Sequence, residues 1–127
     1  MSKLKANEIT ADKWTNKDGT ENYKCRAWVN FDGTGTVAIR GAGNVSSITD
    51  IGTGDYSINF TTALDSANYA VCGSVGNDDP LLAVAAASVR TRGAPTPSAV
   101  RIVTGNHYIN SSSTYYDMKY VSVAVFG

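Results

Sequence analysis

Neither sign of charge is in excess in this chain: eleven Lys and Arg balance eleven Asp and Glu across 127 residues, so the formal net charge is zero. That balance removes the electrostatic footprint by which a protein draws in nucleic acid or an anionic membrane. Histidine occurs once, at His107, so a metal or acid–base centre needing two histidines cannot form within one chain. No apolar run approaches the roughly 20 residues of a membrane-spanning helix. Lys3 and Lys5 are not followed by the apolar stretch of a secretory signal, so the expected product is made in, and stays soluble in, the cytoplasm of its host cell. Cysteine occurs only as Cys25 and Cys72, without the paired spacing of a zinc site. Both read as reduced structural residues, with a disulfide as the alternative.

What is abundant is Gly, Ser, Thr, Asn, Val and Ala, a composition that favours short strands and tight turns. The length suits one domain with its own core. Residues 1–23 are polar, with Leu4, Ile9 and Trp14 spaced too irregularly for an amphipathic helix, and read as an N-terminal docking arm or linker. From Lys24 the period becomes two. Cys25, Ala27, Val29 and Phe31 alternate with Lys24, Arg26, Trp28 and Asn30, which gives a strand with one apolar face and places Cys25 in the core. Asp32-Gly33-Thr34-Gly35 then turns the chain into Val37 and Ile39, and Gly52-Thr53-Gly54 repeats the device before Tyr56, Ile58 and Phe60. Further strands are expected over 68–75, 82–91, 99–104 and 115–126, separated by Gly-, Pro-, Asn- and Ser-rich breaks. The expected fold is all-β: residues 24–127 form an antiparallel, jelly-roll-like sandwich of about eight strands.

Two segments are apolar on both faces, which a lone sandwich does not require. Leu82, Val84 and Ala86 in one, and Val121, Val123 and Val125 in the other, are therefore expected to meet a neighbouring subunit. The alternative is cover by loops or by the arm.

No pattern argues for catalysis, and no catalytic residue or cofactor is expected. Gly33-Thr34-Gly35 lacks the following Gly and Lys of a phosphate-cradling loop, Asn77-Asp78-Asp79 lacks calcium-loop spacing, and no serine sits in a nucleophile elbow. Contact chemistry is better represented. Tyr108, Tyr115 and Tyr116 gather with His107 near the C-terminal turns, where aromatic planes beside amides and hydroxyls suit sugar rings. Arg90 and Arg92, with Arg101, lie in a stretch free of acidic residues, where guanidinium groups suit the anionic groups of bacterial surface polysaccharide. The alternative is that these arginines pair with Asp50, Asp55 or Asp65 across strands or subunits.

The run from Arg26-Ala-Trp-Val-Asn-Phe-Asp-Gly-Thr-Gly-Thr-Val-Ala-Ile-Arg40, through Asn44-Val-Ser-Ser-Ile-Thr-Asp-Ile-Gly-Thr-Gly-Asp-Tyr-Ser-Ile-Asn-Phe-Thr-Thr-Ala-Leu64, to Ala67-Asn-Tyr-Ala-Val71 resembles the small β-domain at the C-terminal end of many bacteriophage tail-fibre and related virion proteins. Leu4-Lys5-Ala6-Asn7-Glu8-Ile9 is similar to the openings of some fibre proteins. The resemblance implies a non-enzymatic virion protein, trimeric, that joins other virion proteins and contributes to host-surface attachment. Two departures stand out: only a short arm precedes Lys24, and Gly41-Ala42-Gly43 replaces bulkier residues. These keep open a trimeric capsid decoration or cement protein, and, on the tyrosine loops alone, a monomeric carbohydrate-binding module.

Overall fold

The computed structural model describes residues 14–78, 87–106 and 114–127. The expected interface residues Leu82, Val84 and Ala86, the expected contact residues His107 and Tyr108, and the docking residues Leu4 and Ile9 lie outside them. Among the described residues every regular element is a strand: β1 Trp14–Thr15, β2 Glu21–Asn22, β3 Cys25–Asp32, β4 Ala38–Gly43, β5 Val45–Gly52, β6 Asp55–Phe60, β7 Ala70–Gly76, β8 Ala87–Thr91, β9 Ala99–Asn106, β10 Thr114–Tyr115 and β11 Tyr120–Phe126. β1 and β2 form a small hairpin of their own at the end of the polar segment. The rest form two antiparallel sheets, one ordered β4-β3-β11-β7, the other β10-β9-β6-β5 with β8 also on β9. The all-β sandwich read from the sequence is the fold.

Alternation decides which residues fill it. Ala27, Val29 and Phe31 of β3 pair with Val125, Val123 and Val121 of β11, and all six are buried against Tyr56, Ile58 and Phe60 of β6 and Val100 and Ile102 of β9. Phe31 meets Tyr56 edge-on with ring centroids 5.1 Å apart, a contact between the sheets that stabilises by about 0.5–1.5 kcal/mol beyond its buried area. Val121, Val123 and Val125 are thus core residues of a single chain, and the expectation that they meet a neighbouring subunit is corrected. A strand whose outward residues include Tyr120, Ala124 and Phe126 looks apolar on both faces, and sequence alone could not tell the inner row from the outer.

Cys25 is also corrected. It is exposed at the start of β3, where pairing with β11 shifts register between Val125 and Phe126, so the alternation that buries Ala27 does not extend to it. Cys72 is exposed as well, and both thiols are free.

The two glycine turns close similar hairpins, β3–β4 and β5–β6. Each has one glycine in left-handed backbone, Gly35 with φ 57° and Gly54 with φ 59°. Gly33 serves a different end: a Cβ there would lie 2.5 Å from the Tyr56 hydroxyl, which instead bonds the Gly33 carbonyl.

Asn44 carries the chain from one sheet to the other. It adopts φ 54°, its amide nitrogen donates to the carbonyls of Arg26 and Thr62, and its amide oxygen accepts the Thr62 N–H.

The single strand expected over 115–126 is two. β10 lies in one sheet and β11 in the other, with residues 116–119 crossing between them. Met118 is buried in the core on the way, and Tyr116 exchanges bonds with Thr104, giving its N–H and accepting the Thr104 hydroxyl.

Candidate functional site

The outer face of the β4-β3-β11-β7 sheet carries the most distinctive chemistry among the described residues. Two rows cross it. Trp28, Ala124 and Cys72 are direct cross-strand partners in one, and Asn30, Ser122 and Ser74 in the next. Four small side chains on β11 and β7 therefore sit beside the largest side chain on β3. The result is a shallow trough of about 480 Å³ lined by Trp28, Asn30, Cys72, Ser74, Ser122 and Ala124.

The Trp28 ring borders the trough and extends over β4. A Cβ on Gly43 would come within 2.4 Å of the indole nitrogen, and one on Gly41 within 3.2 Å of the far edge of the ring. The indole thus spans both glycines, a close approach that glycine in a strand permits and any larger residue obstructs. Gly41-Ala42-Gly43, the departure from the fibre pattern, is the seat of this ring. Trp28 remains 46% exposed. In the trough floor the Asn30 amide donates to the Ser122 hydroxyl at 2.7 Å, which fixes the asparagine and leaves the serine proton available.

One end of the face is a polar network. The Arg40 guanidinium stacks on the Tyr120 ring at 4.5 Å, donates to the Lys119 carbonyl at 2.8 Å and lies 3.5 Å from Asp32. The Tyr120 hydroxyl donates to Asp78 at 2.7 Å, and Lys119 pairs with the same carboxylate. Hydrogen bonds from Lys119 and then Tyr120 hold the Asp78 carboxyl below its ordinary range, while the Asp78 bond raises Lys119 and Tyr120. The Thr34 hydroxyl and N–H lower Asp32 in the same way. Charges at this end are therefore satisfied locally. The other end of the β11 row is Phe126, exposed like Tyr120.

The residues singled out by sequence fall elsewhere. Arg92 lies 5.6 Å from the Tyr115 ring centroid and 3.5 Å from Asp55, so the structure brings those two candidates together on the other sheet. Arg101 takes the same Asp55 carboxylate through two bonds of 2.8 and 2.6 Å. The pairing alternative for these arginines is the one observed for Arg92 and Arg101. Arg90 is exposed on β8 opposite Val103, and Tyr116 is exposed where the chain crosses between sheets. Trp14, the one docking candidate among the described residues, is exposed in the β1–β2 hairpin with the Lys24 ammonium 5.5 Å from its ring. Among the described residues no three His, Cys, Asp or Glu side chains stand together as a metal site would require.

Sequence reading missed the trough, although part of its signal was legible. Trp28 stood on the outward side of an alternating strand, in a position where a polar residue is usual, with two glycines on the next strand. Comparison with protein-family models, with curated proteins and with solved structures gave no match.

Proposed function

We propose that the chain is a non-enzymatic structural protein of a bacteriophage virion, a trimeric tail-fibre or tail-tip domain that contributes to attachment to the host surface. The observation that carries this reading is the outer face of the β4-β3-β11-β7 sheet: an exposed tryptophan seated on two glycines, flanked by Tyr120 and Phe126, with small hydroxyl-bearing residues between. A rigid sheet that presents aromatic planes and hydrogen-bonding groups is suited to recognition, and nothing in that arrangement is placed to break a bond. The resemblance of the Arg26–Val71 run to fibre-tip domains supports the same assignment. Among the described residues, β4 and β5 each pair on one side only, and Ile39 and Ile51 are exposed on them, so unpaired strand edges remain for subunit contact. Three weak sites on one rigid tip bind a repetitive surface far more tightly than one site does. Light scattering tests the assembly: a species of three times the 13.4 kDa chain mass is expected, and a stable monomer at micromolar concentration removes the multivalent mechanism.

A further inference from the structure

We propose that the Trp28 trough is a binding site for a neutral pyranose sugar, stacked on the indole and hydrogen-bonded to the row formed by Asn30, Ser122 and Ser74. The inference deepens the attachment reading by naming a ligand class for its surface, and it rests on that reading for the source of the sugar, a glycan of the host envelope.

The indole is held as a platform. Gly41 and Gly43 let one side of the ring settle onto β4, and the ring is still 46% exposed. Glycine inside a strand costs conformational entropy and weakens pairing, so two of them beneath one exposed ring mark a built feature of this sheet. The C–H face of a pyranose is apolar and matches an aromatic plane, while its hydroxyls need partners at the ring edge. Those partners stand one row away. The Asn30 bond to Ser122 leaves the serine hydroxyl free to donate and the Asn30 oxygen with only a 3.5 Å contact from Arg40. The trough, at about 480 Å³, falls within the range of roughly 300–1,000 Å³ usual for small-ligand sites.

Charge selects the class. No ionisable acid or base lines the trough apart from the Cys72 thiol, and the neighbouring Arg40, Lys119, Asp32 and Asp78 are paired with one another. A neutral sugar fits that lining, which carries no cation for an acidic one. A second copy of the chain is a poorer occupant, because packing over the floor would bury the Ser74 and Ser122 hydroxyls without assured partners, a cost that sugar hydroxyls avoid.

The test is a nuclear magnetic resonance titration of the isotope-labelled full chain with methyl glycosides of glucose, galactose, rhamnose and N-acetylglucosamine. At least one glycoside is expected to shift the Trp28 indole N–H and the Ser122 and Ala124 amides saturably, leaving the Trp14 indole unmoved. Trp28→Ala should weaken that binding by about tenfold or more, the loss of one good stacking contact. Gly43→Ala keeps the indole but forces it off its seat, and should weaken binding too, which provides a second variant if Trp28→Ala folds poorly. The proposal is overturned by no saturable shift at these positions, by shifts that survive both variants, or by concentration-dependent shifts there without sugar, which would mean that a second copy covers the trough. A monomer that binds sugar would retain this inference and remove the trimeric attachment mechanism; a trimeric virion tip with an inert trough would do the reverse.

Discussion

The Tyr56 hydroxyl lies 2.9 Å from a carboxylate oxygen of Asp117, and that same oxygen accepts the Gly54 N–H at 2.8 Å. One carboxylate therefore ties β6 to the crossing between β10 and β11, while the Tyr56 oxygen is also 2.9 Å from the Gly33 carbonyl in the β3–β4 turn. Three separate turns converge on a ring that is fully buried. Tyr56→Phe should destabilise the fold by about 1–3 kcal/mol, since it removes the one hydroxyl proton that the Asp117 carboxylate and the Gly33 carbonyl share. Urea unfolding followed by fluorescence measures this; a midpoint equal to the parent's would mean that water serves both acceptors equally well.

Burial, then the hydrogen bond to Asp117, pushes the Tyr56 hydroxyl well above the ordinary tyrosine range. A group whose pKa is raised in the folded state contributes stability that is fully present below the unfolded pKa, about 10, and is lost as pH rises towards the folded value. Alkaline titration by ultraviolet absorbance should show a tyrosine that ionises only as the protein unfolds, and this step should be missing in Tyr56→Phe.

Asp55 works in the opposite direction. Its hydrogen bonds from Arg101 hold the carboxyl below its ordinary range, with Arg92 adding a smaller effect. The stability this supplies is present above the unfolded pKa of about 4 and is lost as pH falls through the folded value. Asp55→Asn should lower the urea midpoint at neutral pH and flatten its dependence on pH in the acid range. An acid dependence identical to that of the parent would show that other carboxylates carry it.

Asn44→Ala removes three hydrogen bonds at the passage between sheets and places alanine in left-handed backbone. A loss of at least about 2.5 kcal/mol is expected, from three bonds of about 0.5–1.5 kcal/mol each plus about 1 kcal/mol or more of strain at positive φ. Asn44→Gly keeps the backbone freedom and loses only the bonds, so its cost should be smaller. Equal costs for the two variants would show that strain contributes nothing.

Both thiols are exposed, so a thiol-reactive chromogenic reagent should modify Cys25 and Cys72 in the folded protein without denaturant. Protection of Cys25 until unfolding would restore the buried position that its place in the alternation first suggested.

Much of this fold was legible because period two is local. Ala27, Val29 and Phe31 went inward and Trp28 and Asn30 outward, as their alternation required, and the two glycine turns closed the hairpins they announced. The failures share a cause, since each depended on partners distant in sequence. The alternation from Tyr115 to Phe126 hid a passage between sheets that is anchored by Thr104 and Met118. Val121, Val123 and Val125 could be assigned to the core only once they were seen opposite β3. The trough needed Trp28, Ala124 and Cys72 in one register, a fact about three strands that no single segment contains.

Labelled-antibody electron microscopy of intact virions tests the central assignment most directly, because it asks where this protein sits. Label confined to the tail or its fibres is the predicted result. Label spread over the head, or none on any particle, would contradict the attachment reading.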